Sequence, residues 1–337
     1  MPSVLHVGVR GDGEVGDALG LLSSLPGYEH ERFDFAGSPR GVSLVRARLL
    51  RRREFIARMR AADVVHVHGR AIALIYPMLL EEQPTIWTAH GVEAWWPRLS
   101  GVARLHCGEV LARNVDVILT ASGAEAETLR ETTPDLGPLL EVVPWGFPRV
   151  KRRPQARWEL RKQLGIGDEI TVLLLAELGD QRLALAAVDE ARDADVDIAV
   201  LVAGGARELA RMKLRQPHVH TASYEDHPDP FSMFAAADIL LVPDVHRGYA
   251  LSVLAAMDYG VAIVAGQSRS HGELLGNAAV LVPLEQSALT IALLDLIRQP
   301  ARREYMAGEA RRRAMQYSAP KFRAGILAAY ERAMAAH

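Results

Sequence analysis

Two glycine turns could cradle a phosphate. Gly11-Asp12-Gly13-Glu14-Val15-Gly16 follows an apolar run and precedes a helical pattern. Glycines at that spacing let backbone amides reach an anion at a helix N-terminus. A tight turn with no ligand fits the same residues. A dinucleotide site would also want an acid at the end of the second strand, and Asp34 lies at about that distance. The second turn, Pro243-Asp244-Val245-His246-Arg247-Gly248-Tyr249-Ala250-Leu251, opens a helix over Ser252–Tyr259. Gly248 permits close approach, and the amides of Ala250, Leu251 and Ser252 would stand unpaired at the helix start. Arg247 adds a cation beside them. The plainer reading is an ordinary turn with a surface arginine.

Histidines form the second group. In Val64-Val65-His66-Val67-His68-Gly69 alternation puts both imidazoles on one face of a strand. Such a pair could bind metal, or the two rings could be buried and hydrogen-bonded at a strand end; no third ligand with matching spacing follows. Thr85-Ile86-Trp87-Thr88-Ala89-His90-Gly91 ends another strand in a His-Gly pair. His90 would project from the carboxyl end of that strand and donate to a sugar hydroxyl or a phosphate, or else stand in solvent. Glu273, in Ser270-His271-Gly272-Glu273, would accept sugar hydroxyls or simply sit at a helix N-terminus.

The elements that must carry these residues are short β-branched runs, each followed by a longer amphipathic stretch. The first series is Val4–Val9, Val64–His68, Thr85–Thr88, Val115–Thr120 and Glu141–Pro144. The second is Thr171–Ala176, Ile198–Ala203, His218–Ala222, Ile239–Pro243, Ala262–Ala265 and Ala279–Val282. Helical patterns follow at Gln286–Gln299, Ala301–Gln316 and Ala319–Ala335. This alternation predicts parallel sheets covered on both faces, an α/β class. Pro144-Trp145-Gly146-Phe147-Pro148 and the basic Lys151-Arg152-Arg153-Pro154 break the series, and it restarts at Trp158–Gly165. The layout predicts two doubly wound, Rossmann-like domains facing a cleft, residues 1–148 and 149–316, with a terminal helix at 317–337. Ligands of such sheets sit at the carboxyl ends of the strands.

The 337 residues suit two domains at about 150 each. With 39 Lys and Arg against 41 Asp and Glu, net charge is −2, which excludes a globally basic nucleic-acid binder. The single cysteine, Cys107, excludes an internal disulfide and a cysteine-based zinc site. No run reaches the roughly 18 apolar residues of a membrane span, and the start lacks a signal-like core, so a cytoplasmic protein is expected. One local feature departs from neutrality. Arg40, Arg46, Arg48, Arg51, Arg52, Arg53, Arg58 and Arg60 interleave with Val45, Leu49, Leu50 and Ile56, and Glu54 is the only acid. Two readings fit: peripheral contact with an anionic membrane through helix 40–60, or a solvated helix with its apolar side in the core.

Taken in order, Asp63–Gly69, Thr88–Gly91, Val115–Ser122, Val142–Pro148, Val202–Gly205, Ala237–Pro243, Gly248–Ala265, Gly272–Leu274 and Ala310–Tyr330 resemble the retaining GT-B glycosyltransferases of family 4 over nearly the whole length. The resemblance implies a nucleotide-diphosphate sugar held mainly by the second domain, an acceptor against the first, no metal and no other cofactor. It implies a last helix crossing back to the first domain. By position it gives Gly11 and Gly13 to the diphosphate and donor sugar, and His90 to the sugar. It gives Gly248, Tyr249, Ala250 and Leu251 to the diphosphate, and Ala222 through Ser223 and Tyr224 to the base.

Departures from the family pattern are specific. Its two glutamates, eight positions apart, are Arg247 and Ala255 here. Glu177 stands where a diphosphate-neutralising arginine is expected, and Trp145 replaces an asparagine common in the interdomain turn. Alanine cannot bind a ribose diol, and losing a charge-assisted hydrogen bond costs about 1.5–3 kcal/mol. Arg247, with Arg182 or Arg269, would restore positive charge. The leading expectation is glycosyl transfer from a nucleotide sugar. A non-catalytic GT-B protein binding a nucleotide, a glycan or a partner enzyme is the second, and a sugar-nucleotide epimerase the third.

Overall fold

The structure, a computed structural model, describes residues 1–9, 22, 25–35, 42–146, 156–213, 218–226, 231–245 and 251–337. It divides into two compact units, one of Met1–Gly146 with Ala319–His337 and one of Phe147–Ser318.

Unit 1 is built on a parallel sheet of β1 (Ser3–Val9), β2 (Glu29–Phe35), β3 (Val64–His68), β4 (Thr85–Thr88), β5 (Val117–Thr120) and β6 (Leu140–Val142). Its spatial order is β2-β1-β3-β4-β5-β6. Every residue of β3, β4 and β5 is buried, as strands covered on both faces require. The sequence runs over β3 and β4 have the observed limits. The run from Val115 is shorter in the structure, because Val115 caps the helix Gly101–Asn114 in an extended conformation before β5 begins.

β2 was not among the runs read from the sequence. Its residues Glu-His-Glu-Arg-Phe-Asp-Phe carry too much charge for a covered strand. An edge strand pairing only with β1 needs apolar groups on one face alone, here Phe33 and Phe35. Both rings pack against Phe55, with centroids 5.5 and 5.6 Å away.

Phe55 belongs to the arginine-rich helix Val42–Ala61, which buries Phe55 and Met59 completely. Arg52, Arg53 and Arg60 are exposed on its other side. Arg58 pairs with Glu31 at 2.5 Å and Glu54 at 3.2 Å. Arg40 and the side chains of Arg46, Arg48 and Arg51 lie outside the described residues. None of the described helices is long and apolar enough to cross a membrane.

The terminal helix Ala319–Ala335 belongs to unit 1 and buries a stripe of Phe322, Ile326, Ala329, Tyr330 and Ala333 at helical spacing. Gly325 lets it approach the chain just after β6, since a Cβ there would come 2.7 Å from a methyl of Val143.

Unit 2 repeats the plan with β7 (Ile170–Leu175), β8 (Ile198–Gly204), β9 (His220–Ser223), β10 (Ile239–Val242), β11 (Ala262–Gly266) and β12 (Val280–Val282). The order is β12-β11-β10-β7-β8-β9, also parallel. Chain order reverses between β1 and β3 in the first sheet and between β7 and β10 in the second. Those reversals are where open α/β sheets leave a crevice at their carboxyl ends.

Candidate active site

Gly11, Gly13, Arg247, Gly248, Tyr249 and Ala250 lie outside the described residues. The other candidate residues lie at or after the carboxyl ends of β4, β7, β9, β10 and β11.

In unit 1, His90 follows β4 and Gly91 turns the chain in the left-handed region, φ 56°. Glu125 holds that turn. One carboxylate oxygen accepts from the Gly91 amide at 2.9 Å and the other from the Ala121 amide at 2.8 Å. Its own amide donates to the Ser122 hydroxyl at 3.1 Å, capping the helix Gly123–Thr132. Glu125 is a buried acid outside the motifs above, and Ser122-x-x-Glu125 is a capping-box spacing that marks it. Trp95 Nε1–H donates to the His90 carbonyl at 3.2 Å, and Trp145 stacks on the His90 ring at 5.0 Å and 8°.

Behind His90 lies a run of imidazoles. β1 and β3 pair in register at His6 and His66, and alternation brings His68 to the same face. His90 Nε2 lies 3.2 Å from His68 Nδ1, His68 Nε2 3.0 Å from His6 Nδ1, and His6 Nε2 2.9 Å from His30 Nδ1. His30 Nε2 reaches the Leu25 carbonyl at 3.3 Å. His66 stands beside this run, bonded to Thr88 Oγ1 at 2.7 Å and Tyr330 Oη at 2.9 Å.

Burial pulls the His6 and His90 pKa values down to about 3, with the charges of His30 and Arg32 adding to the effect on His6. It drives His66 and His68 well below the ordinary imidazole value, and the neighbouring imidazoles add to this. All four are therefore neutral near pH 7.

Ring nitrogens of His6, His66 and His68 lie within 4.8 Å of one another, a spacing that a metal ion could bridge. The sequence showed two of these three, and His6 is the third. Both nitrogens of each ring already take part in the hydrogen bonds above, so a metal would have to displace them.

In unit 2 the loops after β7 and β10 touch at the reversal point. Gly179, at φ 68°, lies against the Pro243 carbonyl, and a Cβ there would come 2.0 Å from that oxygen. The Asp180 amide donates to the same oxygen at 3.0 Å. Asp180 caps the helix Gln181–Arg192, accepting from the amides of Arg182 at 2.9 Å and Leu183 at 3.3 Å. The Arg182 side chain is exposed on that first turn.

Tyr224, after β9, donates its hydroxyl to Glu177 at 2.6 Å, so the acid found where an arginine was expected has a partner. The Ser223 hydroxyl donates to Glu225, and this bond is the main cause of that carboxyl's lowered pKa. Glu225 also accepts from the Ala206 amide at 3.1 Å, at the start of the helix Ala206–Lys213.

Leu251 opens the helix Leu251–Tyr259, in which Ala255 is fully buried. Glu273 is the fifth residue of the helix Arg269–Leu275 rather than its N-terminus, and its carbonyl accepts from Arg313 at 2.5 Å. A cavity of about 280 Å³ lined by Arg157, Asp238, Arg303 and Arg311 lies at the opposite, amino-terminal ends of β10 and β11.

Against known proteins, residues 171–299 match the family described as glycosyl transferases group 1. The chain is 26% identical over 232 residues to an MMP alpha-(1->4)-mannosyltransferase of Mycolicibacterium hassiacum, covering 67% of this chain and 56% of that protein. The chain thus spans little more than half the length of that relative. Sucrose-phosphate synthase from Thermosynechococcus elongatus superposes with a TM-score of 0.80 at 16% identity, covering 100% of both chains. Anabaena HepE in complex with UDP and glucose superposes with a TM-score of 0.74 at 15% identity, covering 97% of this chain and 98% of that one. At these identities the likeness is one of fold. The chain has the GT-B fold, and the match to the glycosyl transferases group 1 model falls within its second unit.

Proposed function

We propose that this protein is a glycosyltransferase that moves a sugar from a nucleotide-diphosphate sugar to an acceptor hydroxyl, with retention of anomeric configuration. The observation that carries the reading is the group 1 match over residues 171–299, which contains the touching loops after β7 and β10. The complexes of HepE with UDP and with UDP-glucose support the donor class.

In this reading the amides of Gly248, Tyr249, Ala250 and Leu251 receive the diphosphate, and Arg247 and Arg182 offset its charge. Tyr224 and Ser223 border the base, while His90, Glu273, Gly11 and Gly13 meet the sugar. The Tyr224 hydroxyl tempers the negative charge of Glu177. Catalysis rests on positioning the donor and stabilising the departing diphosphate as an oxocarbenium-like sugar forms. The chemistry needs no metal and no cofactor beyond the donor.

A second reading, a GT-B protein that binds without transfer, is favoured by Ala255. Its full burial in a helix leaves that position nothing to offer a ribose diol. Calorimetry and thermal shift with UDP-, GDP- and ADP-sugars, paired with a hydrolysis assay, separate the two. Saturation at 100 Kd should add about 2.7 kcal/mol of stability. Hydrolysis of a bound donor supports transfer, binding with no turnover supports the second reading, and no shift with any nucleotide together with no hydrolysis overturns transfer and leaves the second reading.

The arginine-rich helix Val42–Ala61 adds a peripheral contact with anionic lipid on the cytoplasmic face, each exposed arginine contributing about 1 kcal/mol. Co-sedimentation with vesicles containing phosphatidylserine at low salt tests this contact; protein left in the supernatant removes it.

A further inference from the structure

The four linked imidazoles of unit 1 are more than a buried polar cluster, because their donors and acceptors can be assigned in sequence. A carbonyl oxygen only accepts, so the proton in the His30–Leu25 bond sits on His30 Nε2. In a neutral imidazole the other nitrogen then carries the lone pair. His30 Nδ1 must accept, and His6 Nε2 must donate to it. The same step repeats twice: His6 Nδ1 accepts from His68 Nε2–H, and His68 Nδ1 accepts from His90 Nε2–H. Every link runs the same way, and one backbone carbonyl sets the direction. His6, His68 and His90 are at most 8% exposed, so water has little access to break the run. Among the described residues Nδ1 of His90 has no hydrogen-bond partner.

We propose that the run Leu25–His30–His6–His68 locks His90 as the tautomer with hydrogen on Nε2 and a lone pair on Nδ1, making it a hydrogen-bond acceptor that selects hydroxyl groups over phosphate oxygens. This rests on His90 being the sugar-facing group, and it reverses the donor role expected for that residue from the sequence. A sugar O–H can donate to Nδ1. A fully ionised phosphate oxygen has no proton to offer and meets a second lone pair. His68, His6 and His30 are then positioning residues that act through His90. Burial holds the His6, His68 and His90 rings uncharged, and the direction belongs to the neutral form of His30, since a charged ring would donate from both nitrogens.

Long-range ¹H–¹⁵N correlation spectra of histidine-labelled full-length protein at about pH 8, well above the ordinary imidazole value near 6.5, read each tautomer directly and need no ligand. His90 should show a pyrrole-like Nε2 and a pyridine-like Nδ1. In His68→Asn the amide oxygen still accepts from His90, and the spectrum of His90 should be kept. In His68→Leu the acceptor is gone, and the two His90 nitrogens should move toward a common average. His30→Leu leaves the better-buried rings in place and removes only the anchor at the far end. It should produce the same averaging at His90, which it does not touch, and so covers the case in which His68→Leu fails to fold. Hydrogen on Nδ1 of wild-type His90 overturns the proposal, as does a His90 spectrum unchanged in His30→Leu. Stoichiometric zinc shifting His6, His66 and His68 together also overturns it, because ligation uses the same lone pairs. If the tautomer is as described and no nucleotide sugar binds, the lock stands and the glycosyltransferase reading fails.

Discussion

Mild acid should unfold unit 1 at a pH where most proteins are still stable. The reason is the sign of the histidine shifts. His6 and His90 titrate near 3 in the folded protein, and His66 and His68 well below their ordinary value. In the unfolded chain each titrates near 6.5. Above that pH neither state binds the proton. As pH falls below it, the unfolded state takes up protons that the folded state refuses, so stability drops. At pH 5.5 each fully shifted histidine withdraws RT ln 11, about 1.4 kcal/mol. His6 and His90 together withdraw about 2.8 kcal/mol, and His66 and His68 act in the same direction, set against about 5–15 kcal/mol for a typical domain. The lowered carboxyls of Asp63 and Glu225 act in the acid range below this window and do not confuse it. Urea unfolding followed by tryptophan fluorescence reads unit 1 selectively. Trp87, Trp95, Trp96 and Trp145 are buried there, whereas Trp158 in unit 2 is 66% exposed. The expected result is a falling urea midpoint from pH 7.5 to 5.5. A loss of less than about 1.4 kcal/mol over that range, the amount one histidine supplies, refutes the burial argument.

Glu125→Ala should cost about 2–4 kcal/mol, because it strands the amides of Gly91 and Ala121; an unchanged urea midpoint would show that the turn holds itself. Gly179→Ala should destabilise unit 2 by about 2–4 kcal/mol, since its Cβ would collide with the Pro243 carbonyl at a backbone angle that suits glycine. The same variant should weaken binding of any nucleotide sugar by tenfold or more in calorimetry, and wild-type affinity would separate that loop contact from the ligand site.

Most strands were legible because their cause is local. Val64–His68 and Thr85–Thr88 are covered on both faces, and burial on both faces writes itself into consecutive residues. The edge strand Glu29–Phe35 follows the opposite logic: its charges face solvent, and only Phe33 and Phe35 betray it. The site divides along the same line. His66 and His68 share a face because they are two residues apart, and that was readable. Their partners were not. His6 reaches His68 across a parallel pairing that spans 62 positions, and Tyr330 reaches His66 across 264. Glu125 sits in a recognisable capping spacing, yet the amide it holds at Gly91 is 34 positions away.

Residue type alone left His90 free to donate or accept. An imidazole offers both, and the choice belongs to whatever its far nitrogen meets. Here that choice passes through three rings to the carbonyl of Leu25, in a segment that no motif marks. A neutral imidazole run has two consistent directions, and a single fixed acceptor at one end leaves only one. The chemistry of the candidate sugar-facing histidine is therefore set by backbone placement at the edge of the sheet, which spacing within β4 does not encode.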